Sequence, residues 1–202
     1  MTIDASGLDA SGGLELTGTG DFRLVNATAD VEAPNLTGRL TIETDSGTDN
    51  IITVTAGSGP LGVDATDSND DITVNANQIV DDETDNEVSV GGNSGTDAYE
   101  IEAEGAGTVT INNLAADVDA RNLTNTLTTN VTGGADVDIV LNQANSTINT
   151  NSTNVTLDAD SVGSGDTVTL NQGGTVTVLN ANDGVTVDGG SNYSGDLSVR
   201  TD

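Results

Sequence analysis

One phrase recurs three times along this chain, which points to an array of a single supersecondary unit. VEAPNLTGRLTIETDSGTDNI (Val31–Ile51) returns as VDARNLTNTLTTNVTGGADVDI (Val118–Ile139) and as VDGGSNYSGDLSVRTD (Val187–Asp202). Asn35, Asn122 and Asn192 anchor the alignment, followed by Leu36, Leu123 and Tyr193, then by Leu40, Leu127 and Leu197. An upstream phrase recurs with it: GDFRLVN (Gly20–Asn26), GTVTINN (Gly107–Asn113) and GTVTVLN (Gly174–Asn180). Related segments thus lie near 20–51, 107–139 and 174–202. The whole of 1–202 is read as one continuous array, expected to be an excerpt of a longer repeat protein.

Short alternating runs decide what the unit is made of. LTIET, ITVTA, ITVNA, VTINN, VTLDA, VTLNQ, VTVLN and LSVRT place β-branched residues at every second position, a strand signal. Such runs arrive every nine to twelve residues, with Gly, Asn, Asp and Ser filling the gaps, residues that tolerate tight bends. The anchors lie 122 − 35 = 87 and 174 − 107 = 67 residues apart. If copies differ by whole turns of a coil, four and three turns both give about 22 residues per turn, within the range of solenoid repeats. The expected fold is therefore all-β, a parallel β-solenoid with two strands, or three shorter ones, per turn. Tandem immunoglobulin-like sandwiches are the alternative, because 87 residues is near the ~100 of such a domain. The third copy arrives some twenty residues early, though, and a coil can drop a turn where a sandwich would lose its core. Asn26, Asn35, Asn112, Asn113, Asn122 and Asn180 are candidates for ladders inside successive corners.

Composition fits a narrow core. The chain has a single Phe, two Tyr and no Trp, so its apolar material is almost all Val, Ile, Leu and Ala. Asp and Glu number 33 against four Lys+Arg, all arginine, for a net charge of −29. High charge with few aromatics is also the composition of disordered chains. With only two prolines and regular alternation, the reading here is an ordered fold. Nucleic acid is excluded as a partner, since phosphate contacts need clustered Lys and Arg. No window suits membrane insertion, and without Cys there is no disulfide framework.

Aspartates gather just ahead of strands. Candidate metal ligands are Asp45, Asp49, Asp67, Asp70, Asp71, Asp81, Asp82, Asp85, Asp97, Asp136, Asp138 and Asp166. Two carboxylates ~5 Å apart repel by about 3 kcal/mol at an effective dielectric near 20. Stacked acidic corners would face that cost in every layer, because adjacent strands are only that far apart. Several Ca²⁺ ions are expected to relieve it, as Ca²⁺ takes six to eight oxygens with loose geometry. The plainer reading of any one Asp is a solvated surface.

GGNSGTDAY (Gly91–Tyr99) resembles the RTX nonapeptide G-G-x-G-x-D-x-U-x with one shift in glycine spacing, and the other turns keep only a G-x-D or N-D-D core. Together with NLTGRLTIETDSGTDNIITVTAGSG and GGSNYSGDLSVRTD, it makes the chain resemble bacterial β-strand-repeat surface proteins. These are the RTX-like S-layer proteins and giant adhesins exported by type I secretion. The resemblance implies an extracellular, calcium-dependent layer, filament or adhesin stalk that self-associates, with cell-surface polysaccharide as a further partner. It departs from the family in that no nonapeptide is intact.

Catalysis is not expected. Without His, Cys or Lys, most nucleophiles and general bases near neutral pH are missing. Paired carboxylates serve glycoside cleavage, so a polysaccharide-binding or -cleaving β-helix is one alternative, against which the lack of aromatic sugar platforms counts. Ice binding is another. Thr53-Val54-Thr55, Thr73-Val74-Asn75, Thr108-Val109-Thr110, Thr167-Val168-Thr169 and Thr175-Val176-Thr177 would set threonines outward. Uneven turn length is expected to break their register.

Overall fold

The computed structural model describes residues 1–8, 12–47, 49–67, 69–79, 100–132 and 136–201, the side chains at 152 and 153 aside. Among them seventeen strands follow one another without a helix. They begin with β1 (Thr2–Asp4), β2 (Leu14–Gly18), β3 (Phe22–Ala27), β4 (Val31–Leu36), β5 (Leu40–Thr44), β6 (Ile51–Thr55), β7 (Leu61–Ala65) and β8 (Asp71–Asn75). Next come β9 (Ile101–Gly105), β10 (Thr108–Leu114), β11 (Val118–Leu123), β12 (Leu127–Val131) and β13 (Asp136–Val140). Two long strands, β14 (Ser146–Asp158) and β15 (Thr167–Leu179), precede β16 (Thr186–Asp188) and β17 (Asp196–Val199).

Every strand pairing is parallel, and up to β13 each strand bonds to the one two places ahead. Parallel neighbours cannot be joined by a tight hairpin. Here the return path is itself a strand on the opposite side, so the chain coils. One stack runs β1, β3, β5, β7, β9, β11, β13, then the second halves of β14 and β15, then β17. The other runs from β2 through the even strands to β12, then the first halves of β14 and β15, then β16. The chain is thus a parallel β-solenoid with two strands per coil, and the sandwich alternative, which needs antiparallel pairs, falls away.

Paired residues are commonly 21 apart, as at Thr2↔Arg23, Leu40↔Leu61 and Val155↔Val176. Apart from the two pairings across 80–99, at 101 − 61 = 40 and 108 − 71 = 37, the extremes are 31 − 14 = 17 and 54 − 31 = 23. Corners and local register shifts absorb these differences. Some corners stack so closely that only glycine fits. A Cβ on Gly38 would lie 2.4 Å from the Gly20 carbonyl oxygen, and one on Gly59 would lie 2.3 Å from that of Gly38.

The phase of the sequence repeat differs from the whole-turn expectation. From β3, which carries the Gly20 phrase, to β10, which carries the Gly107 phrase, is seven strands. From β10 to the second half of β15, which carries the Gly174 phrase, is again seven, counting each half of β14 and β15 as one. Seven is odd, so copies lie three and a half coils apart and occupy alternate stacks. The two intervals differ by 87 − 67 = 20 residues, the length of 80–99. β7 pairs directly with β9 and β8 with β10, so the strands before and after 80–99 are neighbours in both stacks. No turn is dropped in the later interval; the earlier one carries extra residues.

Inward positions alternate with outward ones, as strands in a two-sided coil require. Leu24, Ile42 and Val63 form one buried column, and Val54, Val74, Ile111, Thr129, Ile148 and Leu170 another. Burying a Leu or Ile side chain contributes about 1.5–3 kcal/mol, so repetition substitutes for the missing aromatics. Thr129 interrupts its column with a hydroxyl that is fully buried and has no hydrogen-bond partner.

Asn26, Asn113 and Asn180, the equivalent residues of the three copies, have φ of 57°, 57° and 53°. Asparagine is among the few non-glycine residues that take this left-handed conformation. The repeated Asn therefore marks a bend. The ladder lies elsewhere, and on the outer surface: Asn75, Asn112, Asn130, Asn149 and Asn171 share one register column. Each Nδ2 donates to the Oδ1 of the Asn before it, at 3.5, 2.7, 2.6 and 2.9 Å in chain order. Of the sequence candidates only Asn112 belongs to it; Asn35 and Asn122 are exposed.

Candidate functional site

The acidic turns after β5 and after β7 stack on each other and bring four of the expected ligands, Asp45, Asp49, Asp67 and Asp70, into one region of the fold. Asp70 is its centre, at 1 % exposure. A buried carboxylate must find donors or lose stability, and Asp70 finds four. Its Oδ1 accepts from the main-chain N and the Nδ2 of Asn50, at 2.9 and 3.0 Å. Its Oδ2 accepts from Thr44 Oγ1 at 2.5 Å and from the main-chain N of Asp67 at 3.0 Å. Asn50 Nδ2 also reaches the Asp45 carbonyl at 3.1 Å, and Asn69 Nδ2 donates to Asp49 Oδ1 at 3.1 Å. Asp70 thus clamps one coil to the next through the chain's own donors.

The remaining expected ligands are dispersed. Asp71 is exposed on the outer side of β8, paired in register with Ile51 and Thr108. Asp136 Oδ1 accepts from Asn154 Nδ2 at 2.8 Å, across one coil. The Asp138 main-chain N donates to Asp117 Oδ1 at 2.8 Å. Asp166 ends a turn in which its N donates to the Gly163 carbonyl at 3.1 Å. Asp81, Asp82, Asp85, Asp97 and the Gly91–Tyr99 motif lie outside the described residues. Among the described residues no three acidic side chains converge into a group that could hold a metal ion. Both Asp70 oxygens are engaged by donors of the chain itself.

A second acidic group lies within strands rather than ahead of them. Register places Glu43, Asp64 and Glu104 in one outward column, with Glu102 and Asp119 paired beside it. Arg23 pairs with Glu43, Arg39 with Glu102, and Arg121 with Asp119 at 2.9 Å, so three of the four arginines serve this face. Compensation is incomplete. Burial, followed by the charges of Glu43 and Asp70, raises the Asp64 carboxyl above its ordinary range. Glu104 is raised by burial and then by Asp64, Glu102, Glu43 and Asp119. The sequence signal was an acid at the outward position of LTIET, LGVDA, IEAEG and VDARN.

The opposite stack has a different surface. Thr53, Thr73, Thr110, Thr128, Thr147 and Thr169 pair in one continuous column, and Thr55 leads the asparagine ladder in the next. All twelve residues are half-buried, and none is charged. The threonine column is bounded by acids: Asp188 pairs with Thr169 at one end, and Asp30 Oδ1 accepts from the Thr53 main-chain N at 2.7 Å at the other.

No family model, curated protein or solved structure matches this chain. Among the described residues no helix is long and apolar enough to cross a membrane.

Proposed function

We propose that this chain is a stiff structural segment of a secreted bacterial surface protein, an S-layer, filament or adhesin stalk, that spaces and assembles and does not catalyse. One observation carries the reading. Among the described residues both stacks run on through consecutive parallel pairings, with Val, Ile, Leu and Ala inside and polar side chains outside, which makes a straight repeating rod suited to spacing and to lateral or end-to-end contact. Nine successive pairings from β1 to β17, at ~4.8 Å each, give a stack about 43 Å long.

Calcium enters the proposal as a screening ion. The acidic face repels itself, and the net charge of −29 opposes compaction throughout. Divalent ions in an extracellular medium relieve that repulsion without a dedicated cage.

Small-angle scattering over a concentration series tests assembly. The maximum dimension is expected to grow with concentration at constant cross-section. A parent chain that stays monomeric at all concentrations would overturn the assembly reading. Melting in EGTA, in CaCl2 and in NaCl of matched ionic strength tests screening. Both salts are expected to raise the melting temperature, with β-sheet circular dichroism retained in EGTA. Loss of that spectrum in EGTA and its recovery only with Ca²⁺ would show a fold built on bound calcium and overturn the screening reading.

A further inference from the structure

We infer that the threonine–asparagine face of β6, β8, β10, β12, β14 and β15 binds ice. The starting point is a contrast of charge. In a chain with 33 acids, the twelve outward positions of the two columns hold seven threonines and five asparagines. Thr53, Thr73, Thr110, Thr128, Thr147 and Thr169 form the first column; Thr55, Asn75, Asn112, Asn130, Asn149 and Asn171 form the second. The other stack carries the acids that keep the molecule soluble.

Unequal coils were expected to spoil this array, and they do not. The step from Val109 to Leu127 is 18 residues and that from Ser146 to Val168 is 22, yet threonine meets threonine across both. The corners take up the difference.

What remains is a two-dimensional lattice. Neighbouring coils repeat every ~4.8 Å, and outward residues along one strand every ~6.6–6.8 Å. Both spacings are close to oxygen repeats on the faces of hexagonal ice. Five inter-strand steps make the patch about 24 Å long. Each threonine offers a hydroxyl that anchors a water molecule and a methyl group that confines its neighbours. The asparagine amides bond to one another from coil to coil, which fixes the second column in place. Rigidity matters because each water contributes little, and a pre-ordered surface loses little entropy on contact.

Other occupants suit the face less well. Protein partners favour aromatic and arginine anchors, and both columns lack them. A charged ligand would find no counter-charge, whereas ice is neutral and flat. Acids close both columns: Asp188 follows Thr169 in the first and Glu32 precedes Thr55 in the second, while Asp30 and Asp71 stand beside them.

The test uses the whole chain. Thermal hysteresis and partition into a growing ice front are measured for the parent, for Thr128→Tyr at the middle of the first column, and for Thr41→Tyr. Thr41 is an outward residue of β5 on the acidic stack. The parent and Thr41→Tyr are expected to enter ice and Thr128→Tyr to lose most of the effect, each with an unchanged β-sheet spectrum. Should Thr128→Tyr fail to fold, Thr147→Lys in the same column replaces it. The inference is overturned if the folded parent is excluded from ice like an ordinary globular protein, or if the column variant and the control behave alike. It stands apart from end-to-end assembly, because a monomeric segment would still bind ice.

Discussion

Asp70→Asn separates a structural carboxylate from a metal ligand. In the parent, two oxygens serve four donors: Asn50 N, Asn50 Nδ2, Thr44 Oγ1 and Asp67 N. The amide retains one acceptor oxygen, which keeps the Asn50 pair; its NH2 then faces Thr44 and Asp67. Thr44 has a fallback in the Asp64 carbonyl at 3.4 Å, so the main-chain N–H of Asp67 is the group left stranded. One lost hydrogen bond to a charged acceptor plus one orphaned donor amounts to about 3–4 kcal/mol. At ~2–4 °C per kcal/mol for a chain of this size, the melting temperature should fall by roughly 6–16 °C. The assay is thermal circular dichroism in EGTA and in Ca²⁺, with hydrogen exchange at the Asn50 and Asp67 amides. The reasoning fails if the variant melts within about 2 °C of the parent with both amides protected. It fails equally if the loss occurs only in Ca²⁺, since Asp70 would then be holding an ion.

Thr129→Val removes a buried, unpartnered hydroxyl at nearly constant volume and should stabilise the chain by about 1–2 kcal/mol in urea unfolding; a destabilised variant would show that the hydroxyl is needed. Asn130→Ala breaks the ladder bonds to Asn112 and Asn149 and should cost about 1–3 kcal/mol, with faster exchange in β12, whereas an unchanged melt would make the ladder ornamental. Asp64 and Glu104 have raised folded values, so the folded chain takes up their protons at higher pH than the unfolded chain does. Their contribution to stability is therefore full below the ordinary carboxylate value of ~4 and is lost as pH rises through the raised values. Melting temperature should rise as neutral solution is acidified toward that range, and the Asp64→Asn/Glu104→Gln double variant should flatten the slope; equal slopes would refute it.

The architecture was legible because alternation and spacing are local consequences of a strand-and-corner coil. VTINN and VTVLN read as strands without any knowledge of their neighbours, and they are strands. The half-turn phase was hidden because residues 80–99 lengthen one interval by almost a full coil, which makes 87 divide as though four turns had passed. The ladder was assigned to the wrong asparagines for a similar reason. Asn112 and Asn113 are adjacent in sequence, and only their backbone angles show that one bends the chain and the other joins the column. The role of Asp70 was out of reach of spacing altogether. A carboxylate ahead of a strand reads as a ligand until Thr44 and Asn50, each in the preceding coil, are seen to occupy it.

The odd number of strands per sequence unit has an evolutionary corollary. Each tandem duplication would rotate the newest unit so that its surface looks away from that of its parent. A patch refined in one unit would reappear on the same side only at every second unit. A long array grown this way would be a ribbon with two alternating sides, free to evolve one for solubility and the other for contact.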